Sequence, residues 1–190
     1  METAHEFFVH ELNDMLDAER QLVEALGKQA EESARPELRK AFESHRAQTE
    51  KQVERLEQVF ESLGEEPEDT ECKGIRGLIE EHETFKEEDP SEDLLDIFNV
   101  GAASKVESYE IRAYESLIRL GQQMGHRKAV QLLNQNLKEE QQTLKKMEAF
   151  GKKLKPEQMG MGEGEAGEEQ EQEQERGASR RSSGRRRRAA

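Results

Sequence analysis

The sequence predicts an all-α protein: a bundle of four long helices, built as two helical hairpins joined by one long crossover. Three observations predict it. Hydrophobic residues make up 32% of the 190-residue chain against 38% charged, with no Trp, so apolar side chains must be gathered on helix faces rather than spread along strands. Four segments carry an inward-facing seam at alternating steps of four and three residues. Short links join the segments in pairs, and roughly 27 residues separate one pair from the other.

The first long helix has the seam Phe8, Leu12, Met15, Glu19, Leu22 and Leu26, whose fourth slot is a glutamate. The second begins at "ARPEL", where Pro36 suits a first turn. It runs through Leu38, Phe42, His45, Thr49, Gln52, Leu56, Val59 and Leu63, and Gly64 closes it. The crossover holds a short amphipathic helix around "GIRGLIEEHETF". The third long helix starts near Pro90 and Ser91 and carries Val100, Ala103, Glu107, Glu110, Tyr114 and Leu117 as far as Gly121. The fourth carries Ala129, Leu133, Asn136, Glu140, Thr143, Met147, Phe150 and Leu154.

Composition changes after Pro156, where "GMGEGEAGEEQEQEQERGASRRSSGRRRR" offers almost nothing to bury. Residues 1–156 therefore read as the bundle and 157–190 as a disordered charged tail with an acidic block and an Arg-rich end. That end is read as a solvated tail, with contact to an anionic partner as the alternative. The chain's net charge of -14 argues against nucleic acid as a partner of the folded part, since phosphates would be repelled. No window is apolar enough to span a membrane. The single Cys72 and the lack of a secretory signal point to the cytoplasm. The sequence has no Gly-rich phosphate loop, no G-x-S-x-G elbow and no Cys-x-x-Cys, so nucleotide, serine-hydrolase and zinc-ribbon functions find no support.

Each seam is apolar at its ends and polar in its middle. Aligned helices bring Glu19, His45, Thr49, Gln52, Glu107, Glu110, Tyr114, Asn136, Glu140 and Thr143 to one layer. Four carboxylates in one small volume repel one another and resist burial, so they need protons, basic partners or a cation. A divalent metal is the economical answer, and carboxylates with imidazole suit iron or manganese, as one ion or two. Glu19, His45, Glu107, Glu110 and Glu140 are the expected ligands. Thr49, Gln52, Tyr114, Asn136 and Thr143 are expected around them. The Glu-x-x-His pairs of bundle di-iron sites are incomplete here: three residues after Glu140 stands Thr143, the equivalent slots on the second helix hold Thr49 and Gln52, and His45 lies one turn earlier.

The stretches "HELNDMLDAERQL", "AFESHRAQTEKQVERLEQVFESLGE", "CKGIRGLIEE", "VESYEIRAY" and "NLKEEQQT" resemble the YciF-type stress proteins of the ferritin-like superfamily, whose bundles are similar to rubrerythrin and bacterioferritin. The resemblance covers nearly all of residues 5 to 155. It implies a ferritin-like bundle, a homodimer, a dimetal centre and a role in bacterial stress response. In that comparison Glu19 looks like the first-helix ligand, Glu107 and Glu110 like the Glu-x-x-Glu of the third helix, and Glu140 like the fourth-helix ligand. The missing histidines put a full ferroxidase or peroxidase centre in doubt.

Blander readings stand beside these. Glu107 or Glu110 turned outward would pair with Lys105 or Arg112, Tyr114 would be a plain core aromatic, His45 a hydrogen-bonded core histidine, and the buried amides register-setting residues. Glu139, about 100° around the helix from Glu140, is expected in solvent. Two functions follow: a stress protein binding iron or manganese, with Fe(II) oxidation and peroxide or dioxygen consumption if it is an enzyme, or a noncatalytic helical module acting through its dimer surface or charged tail.

Overall fold

The computed structural model describes residues 1–154. The predicted charged tail from residue 157 lies outside them. The described residues form five helices and no strand: α1 (Ala4–Glu32), α2 (Pro36–Leu63), α3 (Lys73–Glu87), α4 (Glu92–Gln123) and α5 (Arg127–Gly151). The long helices α1, α2, α4 and α5 form the predicted bundle. Helices α1 and α2 make one hairpin, α4 and α5 the other. The hairpins meet along α2 with α5 and α1 with α4, while α3 lies across α1 and α4. Among the described residues no helix is long and apolar enough to cross a membrane.

Local chemistry sets the helix ends. Thr3 and Glu6 form a reciprocal capping box on α1, and the Ser91 hydroxyl accepts from Leu94 N on α4. Pro36 occupies the first turn of α2, and Gly64 at φ 75° ends it in the left-handed conformation that costs glycine least. Two expected ends moved. Helix α4 runs past Gly121 to Gln123 and turns at Gly125, φ 78°. Gly121 is instead a packing position, where an added Cβ would sit 3.0 Å from Val130. Helix α5 stops at Gly151, short of Leu154.

The core lies above and below the middle of the bundle. Phe8, Leu12, Leu56, Val59, Phe60, Leu117 and Leu133 fill one end, and Leu22, Leu26, Leu38, Phe42, Val100 and Met147 the other. Each such side chain removed from water contributes about 1.5–3 kcal/mol. That burial lets the polar middle persist. A polar lock also joins the hairpins: buried Asp96 of α4 accepts from Ala34 N and Arg35 N, each at 3.1 Å, and from the Arg35 guanidinium at 2.8 Å. The crossover is tied to α1 where Asn13 accepts from Glu68 N at 2.8 Å and Asp17 from Cys72 N at 2.7 Å.

Candidate metal centre

All ten residues of the predicted polar layer are buried, with Glu19, Glu107 and Glu140 at 0% exposure. The heptad positions explain this. Each layer residue lies three or four positions from apolar seam neighbours on the same helix face, so packing the apolar ends carries the polar middle inside. Lys105 pairs with Glu81 and Arg112 with Glu115, both at the surface, so neither draws Glu107 or Glu110 outward.

Two groups of three form. His45, Glu107 and Glu140 each place one ligand atom within 4.8 Å of the others', and so do Glu19, Glu110 and Glu140. Glu140 belongs to both. In the first group His45 Nε2 lies 3.2 Å from Glu107 Oε1 and 3.8 Å from Glu140 Oε2. Both Glu107 oxygens have no hydrogen-bond partner, and neither has Glu19 Oε2, Glu110 Oε2 or Glu140 Oε2. So many unpartnered buried acceptors are what a cation-binding cage presents and what a settled core avoids.

Electrostatics points the same way. Burial, then the charge of Glu140, pushes Glu107 and Glu19 well above the usual carboxylate range. Glu110 is raised by burial and then by Glu19 and Glu140. Without a cation these groups favour the protonated form.

Of the remaining layer residues, Tyr114, Asn136 and Gln52 hold the carboxylates in place. Tyr114 donates to Glu19 Oε1 and accepts from Asn136 Nδ2 at 2.8 Å, so it is more than a core aromatic. Burial and the neighbouring Glu19 push its hydroxyl well above the usual phenol range, which keeps the donor proton in place. Gln52 Nε2 donates to Glu140 Oε1. Thr143 donates to the Glu139 carbonyl of its own helix at 3.2 Å, which turns its hydroxyl toward the backbone, and Thr49 is buried between His45 and Gln52 on α2.

Two site residues escaped the seam pattern. Arg55 donates to Asn136 Oδ1 at 2.6 Å and clamps Glu139 through two bonds of 2.7 and 2.8 Å. Glu139 is therefore half-buried and paired rather than free in solvent. Its neighbour Gln52 also reaches it, at 3.2 Å. Two histidines outside the layer have other contacts: His82 is buried against Asn99 at 2.8 Å, and His126 stacks on Phe8. Cys72 is buried at the start of α3 with its thiol pKa raised by burial, which fits a quiet cysteine.

A four-helix bundle of two hairpins with a long crossover is the architecture of ferritin-like folds, and here it encloses a layer of buried glutamates. Comparison with known proteins carries this further. Residues 3–159 match the family described as Domain of unknown function (DUF892), and the chain belongs to that family. It is 39% identical over 144 residues to Protein YciF of Escherichia coli (strain K12), covering 75% of this chain and 87% of that protein. The crystal structure of the E. coli stress protein YciF superposes with a TM-score of 0.76 at 38% identity, over 80% of this chain and 96% of that one. YcfI from Rhodopseudomonas palustris also gives 0.76, at 36% identity, over 78% and 94%.

Proposed function

We propose that this chain is a stress-response protein that holds iron or manganese, as a pair of ions, in its glutamate layer. The observation that carries the reading is the pair of buried triads sharing Glu140, with most of their carboxylate oxygens unpartnered. The residues fit the group: carboxylates and one imidazole are hard and borderline donors of the kind these metals take. His45, Glu107 and Glu140 would hold one ion, Glu19, Glu110 and Glu140 the other.

Bound there, such metals supply one-electron exchange with dioxygen or peroxide. The chain's own contribution is positional. Tyr114 and Asn136 orient Glu19, Gln52 orients Glu140, and the apolar ends keep water out. A homodimer in the cytoplasm completes the proposal, supported by the resemblance to YciF-type proteins and by the lone buried thiol.

One observation favours the noncatalytic module. Gln52 offers a neutral amide where bundle di-iron sites place an acidic or imidazole ligand, and it already occupies one oxygen of Glu140. Elemental mass spectrometry on protein purified without chelator, beside Glu107→Gln, separates the two. The metal reading expects about two ions per chain, lost in the variant. No metal in either, even after anaerobic Fe(II) loading, would leave the noncatalytic module.

A further inference from the structure

A narrow cavity runs between α1, α3 and α4 from the surface to the carboxylate layer. At its outer rim stand exposed Lys28 and half-exposed Glu83, 3.6 Å apart. Its inner end is formed by His45 and Glu107, and His45 Nδ1 is buried without a hydrogen-bond partner, as are both Glu107 oxygens. Between the ends the wall is mostly apolar, made by Leu22 and Leu26 of α1, Leu78 and Ile79 of α3, and Ala103 and Val106 of α4, with Gln29 and the Asn99-bonded His82 as its polar members. The free space is about 30 Å³. That admits one or two water-sized groups and excludes an organic substrate or a hydrated cation.

A larger side chain at Ala103 would narrow this space. Ala103 lies one turn before Glu107 on the same face of α4, so the space kept open by its small side chain leads to the Glu107 carboxylate.

We infer that this cavity is the binding site and access route for a small uncharged diatomic molecule, dioxygen, which enters from the α3 side and reaches the layer at Glu107 and His45. Apolar walls favour a molecule with little hydration to lose. They disfavour superoxide, metal cations and peroxide, whose hydrogen bonds to water a wall with only Gln29 and His82 as polar members replaces poorly. The inference deepens the metal reading and rests on it for what dioxygen meets at the inner end. It also makes the cavity side, and so the His45, Glu107 and Glu140 triad, the face approached by the oxidant.

Crystals pressurised with xenon, a probe of apolar cavities, test the binding site with or without metal. Xenon density between Ala103 and Ile79 is expected in the wild type, lost in Ala103→Leu and stronger in Ile79→Ala. Should Ala103→Leu not fold, Ala102→Leu, at a half-buried position on the same cavity, replaces it. In Fe(II)-loaded protein of unchanged iron content, the filled variant should lose air oxidation of Fe(II) by about tenfold or more. Fe(II) is the electron donor there and dioxygen the acceptor. No xenon in the wild type, or undiminished oxidation in a variant that excludes xenon, overturns the route. Absence of metal would sink the metal reading instead and leave xenon occupancy to decide the cavity.

Discussion

Gln52 Nε2 donates a hydrogen bond to Glu140 Oε1, so the carboxylate common to both triads is steadied by a neutral amide rather than by a basic group. An amide relieves none of the repulsion among four glutamates. It does fix which oxygen of Glu140 is left free, and Oε2 is the one without a partner. The layer is thus ordered yet short of positive charge.

Replacing that amide by a carboxylate should separate stability from metal affinity. Gln52→Glu removes the hydrogen bond and sets a fifth acid against Glu140. Chelated protein should lose about 1–3 kcal/mol in urea unfolding. The added donor should tighten metal binding, seen as a larger rise in Tm on loading than in the wild type. A variant that is both less stable and a weaker metal binder would count against a ligand role for this corner of the layer.

Tyr114→Phe removes one hydroxyl and leaves two groups short, since Glu19 Oε1 loses a donor and Asn136 Nδ2 loses an acceptor. The expected loss is about 1–3 kcal/mol in urea unfolding, with apolar packing of the ring retained. Unchanged stability would show that the hydroxyl does not tie α1 to α4 and α5.

The seams made most of this layer legible. Steps of four and three place Glu19, Glu107, Glu110 and Glu140 on inward faces whichever way the loops run, and the structure buries all four. Arg55 was not legible in the same way. It stands off the seam, and a long side chain reaches Asn136 and Glu139 sideways, a direction that periodicity does not encode. The same reach drew Glu139 out of solvent. Gly121 misled for a different reason: a glycine near a helix end reads as a stop, whereas here it makes room for Val130 and Phe8, a contact made only in three dimensions.

Asp96 shows a further limit, because nothing in its own helix marks it as the cap of another. Its carboxylate satisfies two amides in the turn between α1 and α2 and pairs with Arg35. Asp96→Ala should cost about 1–3 kcal/mol, because the Ala34 and Arg35 amides lose their acceptor while the Arg35 guanidinium keeps Asp93. Thermal unfolding checks it, and a loss within experimental error of zero would show that the lock does not couple the hairpins. Metal content should stay at the wild-type level while the variant remains folded, since Asp96 is no member of the triads.

The pH dependence of stability offers the last test, and its sign is opposite to that of ordinary surface acids. Glu19, Glu107 and Glu110 have folded-state pKa values raised by burial and then by neighbouring carboxylates, Glu140 acting on all three. Below the usual glutamate pKa of about 4.3 each is protonated both folded and unfolded, and its contribution to stability is fully present. As pH rises past that value the unfolded chain releases its protons first, so the contribution declines until the raised folded pKa is passed. Chelated wild type should therefore lose stability relative to chelated Glu107→Gln between about pH 5 and pH 8. The variant subtracts the background of surface charges common to both. Metal reverses the trend, because it competes with protons for the same oxygens, so the gain in Tm on loading should grow over the same interval. Urea unfolding at four pH values, with and without chelator, reads both effects. A wild-type-minus-variant difference that stays flat with pH would show that Glu107 is not held protonated in the folded protein.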